Sequence, residues 1–375
     1  MKIAQIAPLM ESVPPQLYGG TERIVSYLTE ELVSQGHDVT LFASGDSITN
    51  ATLFPCCKQA LRLNPNVRDP IPYYMGMLDQ VKQMALAGSF DVLHFHIDQF
   101  HFPIFNREEI PTLTTLHGRQ DLPDLSFLYN AFPLMPLVSI SESQRIPIKR
   151  SNFVGTVLHG LPSLLQKPTH TKADRNYLAF LGRISPEKRV DRAIEIAVRA
   201  GIPIKIAAKI DRADEAYFRE IKPLLDQPGV EFIGEINEAT KEQFLGDALA
   251  LLFPIDWPEP FGLVMIEAMA CGTPILAFNK GSVAEVIDEN ITGAIVHSVT
   301  EAVAALPRVL ALDRTIIRRT FEERFSVRRM AQEYVAIYKT LSAAEAQNGT
   351  LQFNKHAQDH ESPLRAGPAA HEVAL

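Results

Sequence analysis

Cysteine and tryptophan are scarce in this 375-residue chain, which holds three Cys and one Trp. Cys56, Cys57 and Cys271 show no C-x-x-C spacing, which argues against a zinc ribbon and against a disulfide scaffold. A reducing cytosol is the natural setting for such a chain. Long apolar runs are also missing, since none approaches the roughly 20 residues of a membrane span. The short stretch Ile3–Met10 follows a single Lys and is interrupted by Gln5 and Pro8, so it reads as a first strand rather than a signal peptide. The expected location is cytoplasmic, with peripheral contact at the inner membrane face left open. Basic charge is not in excess. A net charge of −8 argues against a broad nucleic-acid-binding surface but leaves room for a local basic pocket. The chain has no GxxxxGK[ST] loop, no GxSxG elbow, no HExxH and no GxGxxG fingerprint.

What is present is a globular composition, 46% hydrophobic and 21% charged. At about 100–200 residues per domain, the length suggests two domains. Strand-like runs at Ile3–Ala7, Asp38–Ala43, Asp91–His96, Thr112–Leu116 and Leu137–Ile140 alternate with amphipathic segments. The region Asn50–Ala87 is less regular, and its Pro-rich part near Asn64–Pro72 reads as a loop or lid. The pattern thins between Pro162 and Arg175, where an interdomain linker is expected. A second series follows: Tyr177–Leu181, Ile204–Ala208, Val230–Ile233, Ala248–Phe253 and Ile275–Phe278 as strands, with helices at Val190–Ala200 and Gly262–Ala270. Strand–helix alternation implies parallel sheets covered on both faces, in two doubly wound α/β domains facing across a cleft. A last helix, Ser326–Leu341, carries Met330, Tyr334, Ile337 and Leu341 on one face. The resulting division is 1–165, 166–325, a helix at 326–344 and a disordered tail at 345–375.

Three stretches carry chemistry. In the first, Pro258-Glu259-Pro260-Phe261-Gly262-Leu263, Pro260 restricts Glu259 to extended geometry, so a helix can begin only near Phe261 or Gly262. The amides of Phe261, Gly262 and Leu263 then lack intrahelical acceptors and suit an anion such as phosphate. Glu267, one turn further, can accept hydroxyls, although alone it reads by default as a solvent-facing glutamate. In the second, Gly182-Arg183-Ile184-Ser185-Pro186-Glu187-Lys188, Arg183 can grip phosphate with two parallel hydrogen bonds and Lys188 adds a point charge. The alternative is a loop whose cations pair with Glu187 and Asp191. In the third, Tyr18-Gly19-Gly20-Thr21-Glu22, paired glycines let backbone approach a ligand closely. His117 ends a strand facing the cleft, where it could donate to a sugar hydroxyl or a developing oxyanion, or serve structure alone. His94 and His96 share one strand face and read as packing, not as metal ligands. No Asp-x-Asp pair at a strand end offers a divalent metal site against a diphosphate.

Together these residues resemble the family 4 (group 1) glycosyltransferases, retaining enzymes of the GT-B fold, over nearly the whole chain except the tail. Glu259 and Glu267 match the family's Glu-x7-Glu motif, Arg183 and Lys188 its GRxxxxK loop, Gly19-Gly20 its glycine loop and His117 its strand-end histidine. Tyr18–Arg23 and Gly36–Asp46 resemble a bacterial branch that includes an avilamycin-biosynthesis enzyme. The resemblance implies an N-terminal domain for the acceptor and a C-terminal domain for a nucleotide-diphosphate sugar, a UDP-hexose being the commonest case. It implies that Arg183 and Lys188 hold the diphosphate without a metal or other cofactor. Glu259 and the Phe261–Leu263 amides would position the sugar, and Glu267 would bind the ribose. Ile236 would contact the base, His117 the sugar or the transition state, and Gly20 the phosphate. The last helix would cross back onto the N-terminal domain. One departure is Ala208-Lys209-Ile210-Asp211, where relatives carry a Gly-x-Gly turn; Lys209 either faces the diphosphate or solvent. The acceptor, whether a lipid-linked glycan, a polysaccharide or a small metabolite, is not legible, nor is the oligomeric state. A nucleotide-sugar 2-epimerase is the nearest alternative, and an epimer formed without acceptor would identify it. A non-catalytic nucleotide-sugar-binding protein would show neither transfer nor donor hydrolysis. An NAD-dependent oxidoreductase lacks its glycine fingerprint.

Overall fold

The computed structural model describes residues 1–16, 19–106, 108–165 and 175–359, with the side chains of 63 and 344–359 left out. Tyr18, most of the expected linker (166–174) and the end of the expected tail (360–375) therefore lie outside the described residues.

Two parallel sheets form the molecule. The first holds β1 (Lys2–Ile6), β2 (Asp38–Ser44), β3 (Thr52–Cys57), β4 (Val92–Phe95), β5 (Thr112–Thr115), β6 (Leu137–Ser139) and β7 (Phe153–Thr156) in the order β3-β2-β1-β4-β5-β6-β7. The second holds β8 (Leu178–Arg183), β9 (Ile204–Lys209), β10 (Val230–Gly234), β11 (Ala250–Phe253), β12 (Ile275–Phe278) and β13 (Gly293–Val296) in the order β10-β9-β8-β11-β12-β13. Strand order reverses beside β1 in one sheet and beside β8 in the other. At such switch points the crossovers diverge and open a crevice beyond the strand C-termini. Both sheets thus aim their ligand-binding ends at the ground between them.

The alternating apolar runs form strands where expected, and β4, β11 and β12 are buried throughout, as two-sided coverage requires. The region Asn50–Ala87 is more ordered than its sequence suggests. It contains edge strand β3 and the helix Ile71–Leu86, with Pro72 in its first turn, where a missing N–H costs nothing. Strands β7 and β13, each of four residues, also lie at sheet edges.

The final helix begins at Val327 and continues to Asp359, beyond the end expected near 344. The apolar periodicity has faded over that extension, and Asn348, Gly349 and Thr350 inside it are weak helix formers. Chain 325–327 is stitched to the first half as it crosses, because Leu161 N–H donates to Phe325 O (2.9 Å) and Val327 N–H donates to Leu161 O (2.9 Å). The helix packs against the helix Gly20–Ser34 and β4. One apolar cluster consequently runs from Ile3 and Leu28 through Phe253 and Met265 to Tyr334 and Tyr338. Among the described residues no helix is long and apolar enough to cross a membrane.

Candidate functional site

The crevice between the sheets is a cleft of about 520 Å³. Gly19, Gly20, His117, Arg183, Lys188, Ile236, Glu259, Phe261, Gly262, Leu263 and Glu267 all line it. Each stands at the C-terminal end of a strand or in the loop or helix that follows it, so a shared sheet polarity brings sequence-distant residues to one place.

Glu259 follows β11 in a loop that other segments hold rigid. Its N–H donates to Trp257 O (2.8 Å), its carbonyl accepts from Ser282 N–H (3.0 Å), and its carboxylate accepts from Trp257 Nε1 (3.0 Å) and from Lys188 Nζ. Lys188 thus pairs with Glu259, not with Asp191. Gly281, at φ +58°, lies against the backbone of Glu259 so closely that a Cβ would collide with it. Gly262 caps the helix Leu263–Ala270 in the left-handed region (φ 79°), and a Cβ there would lie 2.9 Å from Met265 and 3.0 Å from Phe253. No side chain caps that helix, so its opening amides face the cleft without such a partner. Gly20 brings the first half within 3.6 Å of Leu263, measured from an ideal Cβ.

Arg183, at the end of β8, is bracketed by carboxylates. It approaches Asp214 at 3.2 Å, Glu187 at 3.2 Å and Asp211 at 3.8 Å. The Glu187 half of the alternative pairing therefore exists, alongside a position in the cleft wall. Lys209 also lines the cleft, with Asp211 at 2.9 Å, which settles the question of whether it faces solvent alone. Glu267 is 5% exposed and accepts from Lys241 Nζ at 2.7 Å, and Lys241 also meets Glu238 at 3.0 Å. Burial works to lower the Lys241 pKa, but the charges of Glu267 and Glu238 outweigh it and the pKa rises. Glu238 in turn meets Arg23 of the first half at 2.5 Å. A chain of alternating charge thus spans the cleft from Arg23 to Glu267.

His117 sits at the end of a buried polar network. His96 Nε2 lies 2.7 Å from Gln5 Oε1, which can only accept, so the His96 proton is on Nε2 and Nδ1 is an acceptor. His117 Nε2, 2.9 Å from that Nδ1, must then donate to it. Burial holds His117 down to about 3, so its ring is neutral and its remaining nitrogen, Nδ1, is an acceptor. In this tautomer the one N–H of His117 is committed to His96, and any contact that the ring makes with a ligand in the cleft is through Nδ1 as an acceptor. His94 packs in the same network, bonded to Tyr338 (2.7 Å) and Thr115 (2.7 Å).

Sequence reasoning gave no role to Arg23, which closes the stretch Tyr18–Arg23, and missed Glu238 and Lys241, which reach the cleft from a helix of the second half and carry no motif. It missed Gly281 and Ser282, whose Gly-Ser pair after a strand was a readable turn signal without a readable partner.

Two family descriptions match the chain: Glycosyltransferase Family 4 over residues 18–174 and Glycosyl transferases group 1 over residues 164–324. Together they cover both halves of the cleft. The chain is 23% identical to N-acetyl-alpha-D-glucosaminyl L-malate synthase of Bacillus anthracis, over 85% of this chain and 93% of that protein. The fold matches AviGT4, a glycosyltransferase involved in avilamycin A biosynthesis, with a TM-score of 0.70 at 23% identity, covering 92% of this chain and 98% of that one. It also matches Anabaena Alr3699/HepE, solved in complex with UDP and glucose, with a TM-score of 0.66 at 19% identity, covering 92% of this chain and all of that one (100%). With two facing parallel-sheet halves and both family matches in place, the chain belongs to the group 1, family 4 glycosyltransferases of the GT-B fold.

Proposed function

We propose that the protein transfers a hexose from a nucleotide-diphosphate sugar, a UDP-hexose being the first candidate, to a hydroxyl acceptor with retention of anomeric configuration and without a metal ion. The observation that carries this reading is the convergence of Glu259, Glu267, Arg183 and Lys188 on one cleft. The HepE structure, with UDP and glucose bound to the same fold, supports a nucleotide-sugar ligand.

Breaking the anomeric C–O bond builds positive charge on the sugar and negative charge on the departing diphosphate. Arg183 and Lys188 supply fixed cations for the diphosphate, with Lys209 as a third in the same wall. The opening amides of the helix Leu263–Ala270 add partial positive charge at no reorganisation cost. Glu259, fixed by Trp257, Ser282 and Gly281, positions the sugar hydroxyls, and Glu267 exchanges its bond from Lys241 for the ribose hydroxyls. Ile236 flanks the base and Gly20 admits the phosphate from the other half. Attack of the acceptor hydroxyl from the face that the leaving group departs from, with the hydroxyl proton passing to the departing phosphate oxygen as the old C–O bond breaks, accounts for retention without a protein nucleophile.

Glu259→Ala is expected to lower kcat by about a hundredfold or more, since sugar orientation is lost while the diphosphate contacts remain. Transfer at a near-normal rate with a matched donor and acceptor would refute the assignment. Turnover in excess EDTA should equal that in its absence, and a strict metal requirement would overturn the metal-free step.

A further inference from the structure

Beside the main cleft, and sharing Thr21, Glu22, His117 and Gly118 with it, lies a second hollow of about 240 Å³. It opens on the first-half side, between the loop after β4, the start of the helix Gly20–Ser34 and the helix Ile71–Leu86. Nothing in the steps above uses it.

Asp98 is its most unusual residue. Its backbone is left-handed at φ 49°, a conformation that costs most side chains about 1–2 kcal/mol and that Asp and Asn tolerate best. Its carboxylate accepts the backbone N–H of His117, yet Oδ1 is buried and has no hydrogen-bond partner. An orphaned carboxylate oxygen held by a strained backbone in a hollow is costly unless something else completes it. Glu22, 7% exposed, also lines the hollow. Burial raises the pKa of both acids, that of Asp98 to about 6, so a ligand that donates to them also relieves the cost of keeping them charged. His117, whose N–H is turned away to His96, offers only an acceptor nitrogen. Tyr74 and Phe100 stack with ring centroids 5.1 Å apart and form the apolar wall. No Lys or Arg lines this hollow among its described residues.

We propose that this hollow is the acceptor subsite, and that it takes a single uncharged, hydroxyl-rich ring whose O–H groups donate to Asp98, Glu22 and His117, in preference to a phosphorylated or carboxylated acceptor. The proposal rests on the transferase reading above and adds its substrate class. The charged groups and the His117 ring nitrogen that the hollow presents are acceptors, against the two hydroxyls of Thr21 and Tyr74, so a ligand rich in donors fits best. An anion would bring acceptors and like charge into a pocket with two carboxyls and no lining cation. The size admits one sugar ring against the aromatic wall, with its attacking hydroxyl beside His117 where the two hollows meet.

Saturation-transfer NMR on the full chain, with UDP present, tests this. The probes are methyl α-D-glucopyranoside, methyl α-D-mannopyranoside and myo-inositol as neutral rings, against glucose 6-phosphate and L-malate as anions, with methyl glucosaminide as the cation. At least one neutral ring should bind, and both anions should bind about tenfold more weakly or worse. Asp98→Asn, which keeps the shape and suits the left-handed backbone, should weaken the neutral ring about tenfold while UDP affinity, measured by calorimetry, shows that the variant is folded. Preferential binding of an anion or of the cation, an unchanged neutral affinity in Asp98→Asn, or UDP binding with no ring bound at all would each overturn the proposal. Failure of UDP to bind the unmodified protein would instead bring down the transferase reading itself.

Discussion

The backbone of Glu259 is positioned from a separate loop. Gly281 can lie flat against it only because it has no Cβ, and its φ of +58° is in the left-handed region that glycine adopts most readily. Gly281→Ala adds a collision to left-handed strain, and the neighbouring bond from Ser282 N–H to Glu259 O must lengthen. A loss of stability on the order of 3 kcal/mol is expected, read as a lower urea midpoint at unchanged slope. Transfer activity should fall further than stability alone explains, because the carboxylate moves with its backbone. Ser282→Ala, which removes only the bond from Ser282 Oγ to Phe261 O (2.8 Å), should cost about 1 kcal/mol. At this scale the sequence was legible wherever chemistry depends on residue type and short spacing. Glu259 between prolines, Arg183 and Lys188 after a strand, and the paired glycines were all found that way. Asp98 was not, since a left-handed φ at an aspartate and a missing partner are properties of the folded loop. The proton position on His117 was equally hidden, because Gln5 and His96, from two other strands, set it.

Among the elements, the last helix makes the most consequential contacts. It follows the second half in sequence but lies on the first, and two of its tyrosines enter a buried polar network. Tyr338 OH accepts from Gln5 Nε2 (3.1 Å) and lies 2.7 Å from His94 Nδ1, while Tyr334 OH lies 2.9 Å from Thr115 Oγ1. Tyr338→Phe removes the hydroxyl that bridges Gln5 and His94 and leaves Gln5 Nε2 and His94 Nδ1 only their own longer contact of 3.4 Å. A cost of about 1–3 kcal/mol is expected, and a double-mutant cycle with Gln5→Leu should show less than additive loss. Additive losses would mean that the two groups do not communicate. The register of this helix was readable from Met330, Tyr334, Ile337 and Leu341, all of which join the same apolar cluster. Its C-terminal extent was not, because a stretch without periodicity gives little sign of where a helix stops. Edge strand β3 was missed for a related reason: half-exposed strands carry a weak pattern, and Pro55 within it reads as a breaker unless the edge position is known.

For the whole molecule, five histidines dominate the response to acid. Burial lowers the pKa of His94, His96, His101, His117 and His159 alike. In the unfolded chain each takes up a proton near its ordinary value, about 6.5, while the folded protein cannot. The unfolded state therefore binds more protons, and stability, fully present above that value, falls as pH drops through it. Each histidine contributes up to about 1.4 kcal/mol per pH unit. Burial acts the opposite way on Asp98, Glu22 and Glu11, whose raised pKa values favour the folded state on acidification and offset part of the loss. Urea unfolding measured from pH 7 to 5 should show a steep fall, and a flat profile would contradict the buried neutral cluster. The two-sheet organisation behind this was largely legible from strand–helix alternation. The depth at which the halves share one core was not, since no local pattern records which surfaces meet.

The ion pairs of the cleft bear on how the molecule meets a diphosphate. Lys188 with Glu259 and Lys241 with Glu267 balance their charges internally, and the chain as a whole carries −8. A polyanionic partner approaching from solution therefore feels no long-range pull, and its arrival swaps one set of counter-charges for another. Encounter is left to diffusion against the weak repulsion of a net −8 chain and discrimination to contact distance, so the rate of capture should rise modestly, not fall, as ionic strength increases.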